Sequence, residues 1–212
     1  MNSNHLKFIN EAHNIALKKF GTTFPNPVVG CIIVKNNKIL SKAVTNKSGR
    51  PHAEEIAIKK AGIKTKGSTM YVTLEPCNHY SYNGSCADQI IRSGIKEIYI
   101  SAIDPDKRTN GNSIKKFKLN NIKTFIGINM EKTHDLNKFF FTSLKNKRPY
   151  TKVKMAISYD EKIAWHNYKS KWISNSKSRK FAHKIRENSQ AILTTGKTII
   201  KDNPRFTVRK NN

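Results

Sequence analysis

Val28-Val29-Gly30-Cys31-Ile32-Ile33-Val34-Lys35-Asn36-Asn37-Lys38-Ile39-Leu40-Ser41-Lys42-Ala43-Val44-Thr45 is the stretch from which the fold can be read. The run Val28 to Val34 is the longest apolar run in the chain, far short of the ~20 residues that a bilayer-spanning helix needs. It is rich in β-branched residues and reads as a buried strand. Asn36-Asn37 is a turn signal and Lys38 to Thr45 a second strand, so the pair forms a hairpin. Upstream, Leu6, Ile9, Ala12, Ile15 or Ala16, and Phe20 recur at helical spacing, which predicts a helix over residues 5–20. Gly21 and the turn Pro25-Asn26-Pro27 end it. Downstream, helix and strand signals alternate: His52 to Ala61 (helix), Met70 to Leu74 (strand), Ala87 to Ser93 (helix) and Glu97 to Ile103 (strand). Ser113 to Asn120 (helix), Lys123 to Ile128 (strand) and Glu131 to Lys145 (helix) follow. That alternation predicts an α/β layer structure whose sheet is mostly parallel after the opening hairpin.

Arg148-Pro149 punctuates the chain, and the pattern restarts as strand (Tyr150 to Ser158), helix (Lys177 to Asn188), strand (Ala191 to Thr194) and a short strand near Phe206 to Val208. The expected organisation is a first domain over 1–147 and, over 148–212, the N-terminal fragment of a second, since the remainder is below the ~100 residues of a typical domain. Lys plus Arg number 40 against 14 Asp plus Glu among 212 residues, a formal charge of +26. A basic chain gathers phosphate. Here, however, Lys and Asn are spread evenly from Lys7 to Lys210, which reads as compositional drift, so nucleic acid is not an expected partner. The same field can steer a phosphorylated small molecule. With 37% hydrophobic and 9% aromatic residues the chain can bury a core. No h-region of a signal peptide is visible in Met1 to Phe20, so the expected location is cytoplasmic, with no membrane partner.

Three cysteines without an export signal argue for metal or catalysis rather than a disulfide framework. His52-Ala53-Glu54 opens a helix, Pro76-Cys77 follows a buried strand, and Cys86 lies beyond a loop, Asn78 to Ser85. One imidazole and two thiolates suit Zn²⁺ and leave its fourth tetrahedral position open, as a catalytic site requires. His79 as a fourth ligand would close the site. On the first turn of a helix, residues i and i+2 project differently, so His52 can hold the metal while Glu54 overhangs the open position. Zinc brings a bound water to a pKa of roughly 7. If Glu54 takes that proton and passes it to the ring nitrogen of an amino-substituted pyrimidine, the outcome is hydrolytic deamination, the chemistry associated with the His-x-Glu and Pro-Cys signature. Cys31, inside an apolar strand, reads as a buried inert thiol. His5, His13, His134, His166 and His183 read as surface or packing residues, and Trp165 and Trp172 as core on composition alone.

The motifs Thr23-Phe24-Pro25-Asn26-Pro27-Val28-Val29-Gly30-Cys31 and Thr73-Leu74-Glu75-Pro76-Cys77-Asn78-His79-Tyr80, with the eight-residue loop between the cysteines, closely resemble the bifunctional riboflavin-biosynthesis deaminase/reductase family. Asp104-Pro105 with Gly111, Lys154-Met155-Ala156-Ile157-Ser158-Tyr159-Asp160, Lys171-Trp172-Ile173-Ser174 and Lys201-Asp202-Asn203-Pro204 extend the resemblance over essentially the whole chain. It implies a three-layer cytidine-deaminase-like domain followed by the incomplete start of a dihydrofolate-reductase-like domain. The implied reaction removes the 2-amino group of 2,5-diamino-6-(5-phosphoribosylamino)pyrimidin-4(3H)-one, a phosphorylated pyrimidine; NADPH then reduces the ribose of the product.

By position, the resemblance makes His52, Cys77 and Cys86 zinc ligands, Glu54 the catalytic proton carrier, and Asn26 and His79 pyrimidine contacts. Ala156, Trp172, Thr198 and Asp202 match NADPH positions; Ser170, Arg186, Phe206 and Arg209 match substrate positions. The sequence departs from the family at Asp104-Pro105-Asp106-Lys107, where Asp-Pro-Asn-Pro is usual, and at Glu161, where Gly is usual. The family's reductase continues beyond position 212, so reduction by this chain alone is not expected. Two other readings remain: a tRNA or nucleoside deaminase, and a closed zinc module that binds nucleic acid. Oligomeric state is open, with the exposed apolar strands of an incomplete core favouring association.

Overall fold

A computed structural model describes residues 3–79, 84–170 and 172–209. The motif residues Tyr80 and Lys171, loop positions 80–83 and Lys210 lie outside the described residues. Two compact units emerge, Met1–Tyr150 and Thr151–Asn212.

In the first unit α1 (Ser3–Leu17) precedes β1 (Gly30–Lys35), β2 (Lys38–Val44), α2 (Ala53–Ala61), β3 (Thr69–Leu74) and α3 (Cys86–Arg92). β4 (Glu97–Ala102), α4 (Asn112–Leu119), β5 (Lys123–Ile126), α5 (Met130–Leu136) and α6 (Lys138–Asn146) complete it. The sheet order is β2-β1-β3-β4-β5. β1 runs antiparallel to β2 and to β3, whereas β3, β4 and β5 are parallel. Asn36 and Asn37 both take positive φ, 50° and 56°, the requirement of a two-residue turn whose twist matches the strands it joins.

β1 lies between two helical layers, which is why its sequence is apolar without alternation. Cys31 and Ile33 join Met70, Val72, Ile98 and Ile100 against Ala53 and Ala57 of α2, Ile90 of α3 and Phe117 of α4. Ile32 and Val34, one residue out of phase, join Tyr71 and Tyr99 against Phe8, Ile9 and Ala12 of α1. The alanines on α2 bring that helix close to the strands that carry the site. Gly30 is required by the opposite layer, because a Cβ there would sit 2.0 Å from the Ala12 carbonyl oxygen. His13 is buried in this second layer; its Nδ1 meets the Ile9 carbonyl at 2.9 Å and its Nε2 the Thr133 hydroxyl at 2.8 Å. The architecture is thus α/β with three layers, as the sequence predicts.

Several local expectations are corrected. The single helix expected over Glu131 to Lys145 is two, broken at Asn137. Asn137 is fully buried, and its side chain accepts from Val28 N at 2.8 Å and donates to Val28 O at 3.0 Å. Asparagine is a weak helix former, and this tertiary pairing takes precedence over the helical pattern. β5 stops at Ile126, since Gly127 turns at φ +96°. His52 lies just outside α2 as its N-cap, in extended backbone, and α3 begins at Cys86.

The second unit contains α7 (Ser176–Glu187) and α8 (Gly196–Asp202), the latter not anticipated. The strands expected at Tyr150 to Ser158, Ala191 to Thr194 and Phe206 to Val208 are irregular among the described residues. Alternation makes a strand only where a neighbouring ladder takes up the backbone groups, and Val153, Met155 and Leu193 are exposed. No helix among the described residues is long and apolar enough to cross a membrane.

Candidate functional site

The end of β3, the start of α2 and the start of α3 converge. The ligand atoms of His52, Cys77 and Cys86 all lie within 4.8 Å of one another, and no fourth His, Cys or carboxylate joins them among the described residues. His52 Nδ1 is 3.2 Å from Cys86 Sγ. A tetrahedral ion at ordinary Zn–N and Zn–S lengths separates such donors by about 3.5 Å, so the nitrogen and two sulfurs fit zinc. Local structure orders the two cysteines. The backbone N–H of Cys86 donates to Cys77 Sγ at 3.4 Å, and that of Ala87 to the Cys77 carbonyl at 3.1 Å. Ser85 and Asp88 form a reciprocal cap on α3, and Asp88 is paired with Lys116 at 2.6 Å. The capped turn therefore holds Cys86 in place.

The electrostatics are those of a poised but unbalanced cluster. A hydrogen bond with Cys86, aided by the His52 ring, draws the Cys77 thiol below the usual range against the opposing effect of burial. Cys86 is pushed up by the same bond and by burial. Burial works against a charged His52, yet its contacts with Cys77 and Glu54 raise it on balance. Burial raises the Glu54 carboxyl, with His52 opposing. Zinc favours both thiolates and a neutral imidazole, because only those forms ligate.

A pocket opens beside the cluster, lined by His52, Glu54, Cys77, Asn26 and His79 together with Glu75, Asp104, Asp106, Arg108 and Phe140. The structure thus brings Asn26 and His79 to the same place as the metal set. Asn26 is seated by Gly49, where a Cβ would lie 2.0 Å from its Nδ2, and that amide donates to Ser48 O at 3.3 Å. The loop after β4 contributes Asp104, whose buried carboxyl is pushed up to about 7 by desolvation. It also contributes Arg108, which grips Asp106 through Nε and Nη2. The roles of Glu75 and Phe140 are not visible in the sequence. Glu75 stands inside the motif around Cys77, a signal that pointed only to the cysteine, and Phe140 reads as an ordinary helix residue.

The remaining expected positions are in the second unit. Arg186 Nη1 donates to Thr207 O at 2.9 Å and approaches His183 Nδ1 at 3.3 Å, which also accepts from Arg209 N at 3.2 Å. Trp172 stacks under the Arg179 guanidinium, 4.2 Å from the ring centroid. Thr198 and Asp202 belong to α8, while Ala156, Ser170 and Phe206 lie on separate irregular segments. None of these positions is buried.

Comparison with known proteins agrees with this geometry. Residues 2–102 match the cytidine and deoxycytidylate deaminase zinc-binding region, and residues 149–212 the RibD C-terminal domain. The riboflavin biosynthesis protein RibD of Aquifex aeolicus is 41% identical over 99% of this chain and 58% of its own length. That of Escherichia coli is 37% identical over 89% of this chain and 51% of its own length. Among solved structures, a Thermotoga maritima diaminohydroxyphosphoribosylaminopyrimidine deaminase/5-amino-6-(5-phosphoribosylamino)uracil reductase superposes with a TM-score of 0.89 at 38% identity, covering 98% of this chain and 60% of that one. Acinetobacter baumannii RibD, form 2, gives 0.92 at 31% identity over 99% and 58%. The chain spans about half the length of the curated relatives it matches. With a deaminase zinc-binding region first and a RibD C-terminal segment after it, the chain is similar over nearly its whole length to the RibD riboflavin-biosynthesis proteins.

Proposed function

We propose that the first unit is a zinc-dependent pyrimidine deaminase that converts 2,5-diamino-6-(5-phosphoribosylamino)pyrimidin-4(3H)-one to the corresponding uracil, exchanging its 2-amino group for oxygen with release of ammonia. The observation that carries the reading is one pocket holding a buried carboxylate, Glu54, beside the three-ligand cluster. His52, Cys77 and Cys86 would hold the zinc, and the open side of that set is what a catalytic site needs. Zinc, when bound, lowers the pKa of a coordinated water to roughly 7 and so supplies hydroxide at neutral pH.

Glu54 takes the proton of the attacking water, delivers it to the ring nitrogen next to the amine-bearing carbon, and passes a second proton to the departing amine. Burial, which favours the protonated carboxyl, suits a group that must carry a proton as well as accept one. Asn26 and His79 orient the heterocycle from the pocket wall. Arg108, at the mouth, offers a forked donor to a phosphorylated ribose. The second unit's likeness to the RibD C-terminal domain supports an NADPH-linked reductase part. There Ala156, Trp172, Thr198 and Asp202 are assigned toward NADPH, and Ser170, Arg186, Phe206 and Arg209 toward the ribose phosphate.

The test is ammonia release from the diaminopyrimidine ribose phosphate by the zinc-loaded chain. Glu54→Gln should abolish release while zinc content stays at wild-type level. An active Gln variant, or a zinc-loaded wild type that releases no ammonia, would overturn the assignment.

A further inference from the structure

Glu75 is buried and follows β3 directly, two residues before Cys77. Its backbone N–H bonds the Ala102 carbonyl at the end of β4, 2.9 Å away. Its carboxylate reaches across the loop that joins β4 to α4 and takes hold of both ends. Asp104 N donates to it at 3.2 Å, Gly111 N to both oxygens at 2.9 Å, and Ser113 Oγ at 2.6 Å.

Gly111 is the N-cap of α4, in left-handed backbone at φ +81°, and has no side chain with which to cap the helix. Glu75 reaches this terminus from another element, accepting from the Gly111 backbone N–H and the Ser113 hydroxyl, with the sign of charge that a helix N-terminus favours. Asp104, at one anchored end, and Asp106 and Arg108, between the two, all line the pocket beside the metal set. A second tie runs from the other side, where Asn78 N meets Thr109 Oγ1 at 3.5 Å.

These bonds to the carboxylate come from neutral donors, two on the loop and one, Ser113, in the first turn of α4. A buried carboxylate is costly unless its acceptor sites are filled, so loop and carboxylate hold each other. A residue needed only to finish β3 would not have to be acidic. The carboxylate matters because it gathers three donors from the two ends of the loop and the first turn of α4.

We propose that Glu75 is a positioning residue for substrate recognition. It locks the 103–111 loop so that Asp104 and Arg108 present a fixed edge to the substrate, in register with Cys77 two residues further on. The inference rests on the deaminase reading for its kinetic part and on the hydrogen-bond geometry for its structural part.

The test uses the zinc-loaded chain and the Glu75→Gln variant, which keeps volume but replaces one acceptor oxygen by a donor. Bound zinc should be unchanged and kcat should stay within about threefold, while KM rises about tenfold or more. Hydrogen exchange of the 103–111 amides should quicken by about tenfold or more, with β3 and β4 unaffected. Ser113→Ala, which removes one of the bonds and touches no pocket surface, should move both readouts the same way by a smaller factor. It also carries the test if Glu75→Gln does not fold. Loss of zinc, a fall in kcat at unchanged KM, or unaltered loop exchange would overturn the role. A wild type that turns nothing over would defeat the deaminase reading alone, and loop exchange would still decide the clamp.

Discussion

Asn137→Ala should unfold the first unit at a markedly lower temperature, and the size of the effect follows from two buried hydrogen bonds. The Asn137 side chain is fully buried. It satisfies both backbone groups of Val28, accepting from N at 2.8 Å and donating to O at 3.0 Å. Val28 is itself buried, so truncation leaves one N–H and one C=O without water or partner. Each orphan costs about 1–3 kcal/mol, and the small void adds to that, which places the loss at about 3–4 kcal/mol. With an unfolding entropy of ~2.1 cal/mol/K per residue over the roughly 150 residues of this unit, each kcal/mol lowers the midpoint by about 3 °C.

The expected drop is therefore about 10 °C, read by circular dichroism melts of the zinc-loaded chain. Asn137→Asp separates the two bonds. It keeps an acceptor for Val28 N but sets a carboxylate against Val28 O, so it should be destabilised at neutral pH as well. Because Val28 follows Pro27 and Asn26, KM should rise in both variants. A shift of less than about 3 °C for Asn137→Ala would show that these backbone groups find other partners and would refute the reasoning.

Gly49→Ala should raise KM with little change in bound zinc, since a Cβ at φ +92° would collide with the Asn26 amide; unchanged kinetics would mean that Asn26 does not contact substrate. Cys77→Ser or His52→Ala should lower zinc affinity by about tenfold or more, read by competition with a chromophoric chelator; full affinity in either variant would remove that residue from the ligand set. His13 is held below its ordinary pKa by burial. Between its native and unfolded pKa the unfolded chain binds the extra proton, so this group's contribution to stability is intact above about pH 6.5 and declines as pH falls below it. The difference in urea midpoint between wild type and His13→Gln should accordingly shrink from pH 8 to pH 5.5, and a constant difference would contradict the assignment.

What was legible in the sequence was local or chemically rare. The hairpin is written in Val28 to Thr45 because an apolar run, an Asn-Asn turn and a second strand are neighbours in the chain, and β1 and β2 pair as that pattern requires. The metal set is legible because few buried environments use one His and two Cys together, and His52, Cys77 and Cys86 do converge. Alternation misled from Tyr150 onward, where apolar residues at strand spacing occur without a ladder among the described residues. Helical periodicity misled at Asn137, where a bond to Val28 109 residues away outweighs the run on either side.

The sequence by itself determined the α/β alternation and the candidate metal donors, for those depend on residue type and short spacing. Only the tertiary structure decided which side chains shape the pocket around them. Glu75, Asp104, Arg108 and Gly111 meet across β3, β4 and the start of α4, and bonds spanning 29 to 38 residues leave no periodic trace in the chain. Their geometry exists only once the parallel strands are side by side, because the sheet register, and no local propensity, brings the end of β3 against the end of β4.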